Sequence, residues 1–299
     1  MRDHACMKPL ERISTIPCKL AEGCLWHSDE RRLYWVDILQ GRLLCHDPAT
    51  GETAIVNDNP DSQLGGFTIQ ADGALLLFRA KGRVERYADG RITEALIDSL
   101  PEERDSRFND LIADPAGRIF AGTVATPKHD AQLYRLDADR SIHSVQQGIG
   151  CSNGLGFSPD CKTLYYIDSG PNGRQVWAYD FDADAGGIRN RRTVVDYRDT
   201  DGQTPDGMTV DAAGNLWAAI WNGAAVMNWT STGEVIQKID VPQATCVTCV
   251  TFGGPTLTDL YITTATNNAT PAQADTAGHV YMIPDAGQGK AEFRSRIGL

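Results

Sequence analysis

The chain has 299 residues, 41% of them apolar and 22% charged, which supplies a sizeable core and argues against extensive disorder. Its 28 basic and 39 acidic residues leave a net charge of −11, so phosphate backbones and anionic bilayers are repelled and neither nucleic acid nor membrane is expected as a partner. No run approaches the roughly 18 apolar residues of a membrane helix, and Met1 to Leu10, with Arg2, Asp3, His4 and Lys8, lacks the apolar stretch of a secretory signal.

Taken in chain order, Leu10 to Leu20 is expected to supply a strand that closes a ring. One pattern then recurs six times: a turn with Asp, Gly or Pro, a short β-rich run, and a second run ending near an Asp. The copies begin DERRLYWVD at Asp29, ADGALLLF at Ala71, PAGRIFAG at Pro115, PDCKTLYYID at Pro159, AAGNLWAAI at Ala212 and TLTDLYITT at Thr256. Their leading apolar residues are Leu33, Leu75, Ile119, Leu164, Leu216 and Leu260, at intervals of 42, 44, 45, 52 and 44, about one propeller blade each. The only helical turn expected lies near Leu96 to Arg104. Forty-odd residues of four antiparallel strands cannot bury both faces alone, whereas six units stacked around an axis can. The expectation is all-β: one six-bladed β-propeller over residues 1–299, four antiparallel strands per blade, the ring closed by an N-terminal strand. A β-sandwich or a pair of barrels does not account for the near-constant interval.

The innermost strands of a propeller line an axial channel. Four polar segments precede them in the same phase: Glu22-Gly23, Asn109-Asp110, Asn153-Gly154 and Asp206-Gly207. Glu22, Asn109, Asn153 and Asp206 stand 11, 10, 11 and 10 residues before their repeat's leading apolar residue, so they should meet around the axis at one height. One Glu, one Asp and one or two Asn offer only oxygen donors, which suits a hard divalent cation. Taken singly, Asn-Gly and Asp-Gly are equally good turn formers.

Six motifs follow one another along the chain: EGCLW, RFNDLIADPAGRIFAGT from Arg107, SNGLGFSPDCKTLYYIDS from Ser152, NRRTV from Asn190, TPDGMTVDAAGNLWAAIWNG from Thr204 and CVTFGG. In these the sequence resembles the SMP-30/gluconolactonase (regucalcin-like) family of six-bladed propeller lactonases. The resemblance implies metal ligands at Glu22, Asn153 and Asp206 and a substrate-contacting pair at Arg107 and Asn109, with Asn109 a fourth ligand in some relatives. It implies hydrolysis of a 1,4- or 1,5-aldonolactone to the aldonic acid in oxidative sugar catabolism. One divalent cation would assist, calcium first, with zinc, magnesium, manganese and iron(II) compatible. Asp206 is then the general base for the attacking water, and Arg107 donates to ring hydroxyls. The substrate partner is a small sugar lactone. A phosphotriesterase-like hydrolase on the same site, or a non-catalytic cation- or protein-binding propeller, are the alternatives. The loop VATPKHDAQ from Val124 and the stretch 267–278 depart from the family pattern, and both should border the channel mouth.

Other signals are set aside. Gly150 to Gly154 matches G-x-S-x-G, but neither a following helix nor a partner His is evident. Cys246 and Cys249 form a CxxC in a β-rich run, which suits buried thiols. All eight cysteines (Cys6, Cys18, Cys24, Cys45, Cys151, Cys161, Cys246, Cys249) are expected reduced in a cytoplasmic protein. His27 and His129 are expected as solvated loop residues, with a place at the mouth as the alternative; Asp168 is expected as a blade-turn residue, with support of the site from behind as the alternative; most Trp are expected as inter-blade core, and Trp221 and Asn222 follow an inner run that could carry them to the pocket.

Overall fold

The structure is a computed structural model that describes residues 8–299; the expectations for His4 and Cys6 lie outside it. Six four-stranded antiparallel sheets form six blades. They occupy 21–58, 64–97, 108–149, 152–196, 204–240 and 246–283. The innermost strands are Ala21–His27, Leu64–Ile69, Phe108–Ala113, Ser152–Phe157, Thr204–Val210 and Cys246–Gly253. Each leading apolar residue of the repeat sits on its blade's second strand, and all six are buried. Blade 6 is completed by an N-terminal strand, as the repeat requires, but the strand is only Glu11–Arg12, paired with Tyr281 and Met282. The rest of the expected segment is irregular, apart from a single bridge from Leu20 to Ala265. The helical turn is a 3-10 turn at Pro101–Glu103.

The core is divided into six apolar clusters, one between each pair of neighbouring blades. A blade's two faces are both apolar because both are covered, which is why the strands read as apolar runs rather than as alternation. Phe120, Phe157 and Phe181 pack edge to face between blades 3 and 4. Trp26 and Tyr261 stack with ring centroids 5.9 Å apart where blade 1 meets blade 6. Trp35, Trp177, Trp217 and Trp229 are buried as expected. Among the described residues the seven cysteines are free, and no helix is long and apolar enough to cross a membrane.

The C-terminal segment was not anticipated. It crosses one end of the channel: Ala212 N–H donates to Gln288 O at 2.8 Å, Ser295 N–H to Ile69 O at 2.9 Å and Arg296 N–H to Gly117 O at 2.8 Å. Ser295 is fully buried, and its hydroxyl pairs with that of Thr68 at 2.9 Å. The strap therefore covers the end where the innermost strands finish and leaves the end where they begin as the working mouth.

Candidate active site

The candidate residues sit where the innermost strands break register. In every blade the pairing of the first and second strands shifts near the start: between Glu22 and Leu25, Leu64 and Gly66, Phe108 and Leu111, Ser152 and Leu155, Pro205 and Met208, and Val247 and Cys249. A bulge breaks the alternation of side chains and re-aims one of them. The Asn-Gly and Asp-Gly pairs are thus bulges within strands, not turns. Gly23 takes φ +56° in its bulge, a region open to glycine at little cost. A Cβ on Gly207 would lie 2.7 Å from the Cys249 Cα, so glycine lets neighbouring inner strands close on the axis.

Glu22, Arg107, Asn109, Asn153 and Asp206 all line one cavity of about 210 Å³, with Leu20, Ile38 and Trp221 as its apolar wall. The sequence-derived set is therefore brought together in full, from blades 1, 3, 4 and 5. Glu22 and Asp206 are each 4% exposed. Burial raises both carboxyls well above the usual range; repulsion from Asp206 and Asp110 adds to the effect on Glu22, and repulsion from Asp110 adds to it on Asp206. Asp110, whose segment was legible but whose role was not, is pushed up to about 7 by burial, with Arg107 pulling the other way. Burial also lowers Arg107, the only cationic side chain among the described residues that line the cavity, against the opposite effect of Glu22, Asp110 and Asp206. One guanidinium thus stands against three buried carboxyls without forming an ion pair with any of them.

Their hydrogen bonds do not make up the deficit. Glu22 accepts only the Gly23 N–H at 3.2 Å, and among the described residues the Asp206 carboxylate accepts none. Such a pair calls for positive charge. Two carboxylates with the Asn153 amide oxygen fit a hard divalent cation. Among the described residues no three His, Cys, Asp or Glu side chains form a metal cluster by themselves. Asn109 is arranged differently. Its Oδ1 accepts from Arg107 Nη1, and its Nδ2 donates to Ser152 O and to Asn153 Oδ1, each at 2.6 Å. That geometry braces Asn153 and orients Arg107.

Asp168 is not a simple turn residue. Its carboxylate accepts the N–H groups of Gly150 (3.1 Å), Cys151 (3.0 Å) and Gly170 (2.9 Å), fixing the chain that leads into Asn153. Trp221 reaches the cavity, whereas Asn222 stays at the rim, bonded to Gly202 O and Asn268. The two divergent loops also stay at the rim: Val124 bridges to Cys151, and Asn268 bonds to Asn222. His27 is buried, contrary to expectation; it is at the far end of its strand from the site, with Nε2 3.2 Å from Gly73 O. His129 is half-buried, its Nδ1 3.0 Å from Asp130 O. Ser152 is wholly buried inside a strand and has no elbow geometry. Cys246 and Cys249 are buried in strand Cys246–Gly253; burial holds the Cys246 thiol up against the hydrogen bonds of Asn222 and Asn268, and a hydrogen bond with Cys24 together with burial holds Cys249 up, as expected of inert cysteines.

Fold and site together define a six-bladed propeller with an axial pocket lined by carboxylate and amide oxygens. The model of the SMP-30/Gluconolactonase/LRE-like region matches residues 20–266. The pentonolactonase XacC of Haloferax volcanii is 41% identical over 96% of this chain and 98% of its own length. A 6-deoxy-6-sulfogluconolactonase of Pseudomonas putida is 34% identical over 84% of this chain and 85% of its own length. Among solved structures, a luciferin-regenerating enzyme aligns with a TM-score of 0.87 at 28% identity, over 97% of this chain and all of that one. The chain belongs to the SMP-30/gluconolactonase/LRE-like family and is a lactonase-type enzyme, a hydrolase acting on carboxylic esters.

Proposed function

We propose that the protein hydrolyses an uncharged aldono-1,4- or 1,5-lactone to its aldonic acid, with one divalent cation held by Glu22, Asn153 and Asp206. The observation that carries this reading is the meeting of those three side chains with Arg107 in one cavity where two carboxylates lack a counter-charge. All donors are oxygens, which favours calcium; zinc, magnesium, manganese and iron(II) accept the same set. Arg107 is the one cationic side chain among the described residues that line the cavity, and the charges of Glu22, Asp110 and Asp206 already draw on it, so the pocket disfavours a phosphorylated or sulfonated lactone. Trp221 and Ile38 offer an apolar wall to one face of a sugar ring.

A bound divalent cation supplies Lewis-acid polarisation of the lactone carbonyl. Arg107 donates to ring hydroxyls and is steadied by Asn109. Asp206 accepts the proton of the attacking water. Burial keeps its carboxylate more basic than one in solvent, countering the opposite pull of the cation. Water's oxygen forms the new bond to the carbonyl carbon, the ring C–O bond breaks, and the proton passes to the departing ring oxygen. The buried strap leaves only one mouth for entry and release. A sugar dehydrogenase must supply such a substrate, which fits oxidative sugar catabolism. The free thiols support a reducing, cytoplasmic setting.

The test is a pH-indicator assay over neutral and 6-phosphorylated lactones in metal-free buffer, with each cation restored singly. Neutral lactones should be turned over only after one cation is returned. Full activity without metal, or preference for the phosphorylated lactone, contradicts the reading.

A further inference from the structure

Ser169 lines the same cavity, directly after the strand Thr163–Asp168, and ends the motif that begins at Ser152, where it has no assigned role. Its hydroxyl lies between two of the proposed ligand segments. Ser169 Oγ–H donates to Pro205 O at 2.5 Å, one residue before Asp206. Asn153 Nδ2 donates to the same Oγ at 2.8 Å. A hydroxyl has one proton. With that proton committed to Pro205, the oxygen facing Asn153 can only accept. The amide NH₂ must therefore point at Ser169, and Oδ1 must point the other way, toward Asn109 Nδ2 at 2.6 Å. The result is one directed chain across three blades, from Arg107 through Asn109, Asn153 and Ser169 to the Pro205 carbonyl.

We propose that Ser169 is a positioning residue. It sets which end of the Asn153 amide is presented for cation binding, and it ties that amide to the backbone that carries Asp206. An asparagine has two nearly isosteric orientations, and only one offers oxygen. Without Ser169 only the Asn109 Nδ2 donor still selects the orientation, so the flipped amide, whose NH₂ end repels a cation, gains population. This inference rests on the cation site proposed above. Partners that orient a ligand typically change metal affinity by 10–100-fold.

The experiment titrates calcium, manganese and zinc chlorides, one at a time, into metal-free protein by calorimetry, with the melting temperature of the metal-free protein recorded alongside. Ser169→Ala should raise Kd about 10-fold or more for the cation that wild type binds, with little change in melting temperature. Ser169→Thr, which keeps the hydroxyl, should bind like wild type. In an Asn153→Asp background the penalty of Ser169→Ala should shrink several-fold, because a carboxylate has no wrong end. Unchanged affinity in Ser169→Ala, or equal weakening in Ser169→Thr, overturns the role of Ser169 and leaves the cation site standing. A wild type that binds none of the three cations overturns both.

Discussion

Replacing Asp206 with asparagine separates what the site does from what holds the fold together. The side chain keeps its shape and loses its charge. As general base Asp206 is asked for about 10²–10⁴ of the rate, or roughly 3–5 kcal/mol of barrier at 1.36 kcal/mol per decade. Stability should move the other way. A carboxyl raised in the folded state binds its proton more tightly there than in the unfolded chain. Its charge therefore costs stability as pH climbs through the raised value, about 1.4 kcal/mol for each unit of elevation. Asp206 is raised by burial and by Asp110, and it in turn raises Glu22. Asp206→Asn should accordingly melt higher than wild type when both are metal-free at pH 8, by roughly 2–4 °C per kcal/mol in a domain of this size. Scanning calorimetry and the indicator assay on one preparation give both numbers. A variant that retains lactone turnover within tenfold, or one that melts several degrees lower, refutes the reasoning.

Two further outcomes follow from parts of the fold outside the site. Arg79 is 1% exposed and donates to Glu85 at 2.7 Å, Asn57 at 2.6 Å and the Ser62 carbonyl at 3.0 Å. Arg79→Met strands these acceptors and should cost about 3–5 kcal/mol in denaturant titration; a loss below 1 kcal/mol contradicts a structural role. His46 and His279 are buried, and desolvation holds both below the usual 6.5. The unfolded chain takes up these protons first as pH falls. The contribution of these two histidines is therefore full above about pH 6.5 and lost below it, so the melting temperature of wild type minus that of His279→Gln should fall between pH 7.5 and 5.5; an unchanged difference counts against it.

The ring was legible in the sequence because each blade repeats one local requirement. Leu33, Leu75, Ile119, Leu164, Leu216 and Leu260 must each be covered on a second strand, so their spacing reports the blade. The phase of Glu22, Asn109, Asn153 and Asp206 was legible for the same reason, although the bulge that aims them was not: Asn-Gly and Asp-Gly suit a turn and a bulge equally. Asp168 and Ser169 close a legible motif, but their partners were not legible, because their work is done on the backbone of distant residues, Gly150 and Pro205, and leaves no local pattern. The strap from Gly287 onward has no periodicity, since its partners are carbonyls and amides of blades 2, 3, 5 and 6. His27 was misplaced because its cover, Gly73, comes from the next blade.

The most direct measurement is anomalous diffraction from crystals of the protein soaked in manganese chloride. A single strong peak within about 2.0–2.6 Å of carboxylate or amide oxygens of Glu22, Asn153 and Asp206 is the predicted result. A peak elsewhere, or none at this cavity while the crystals still hydrolyse lactone, contradicts the account.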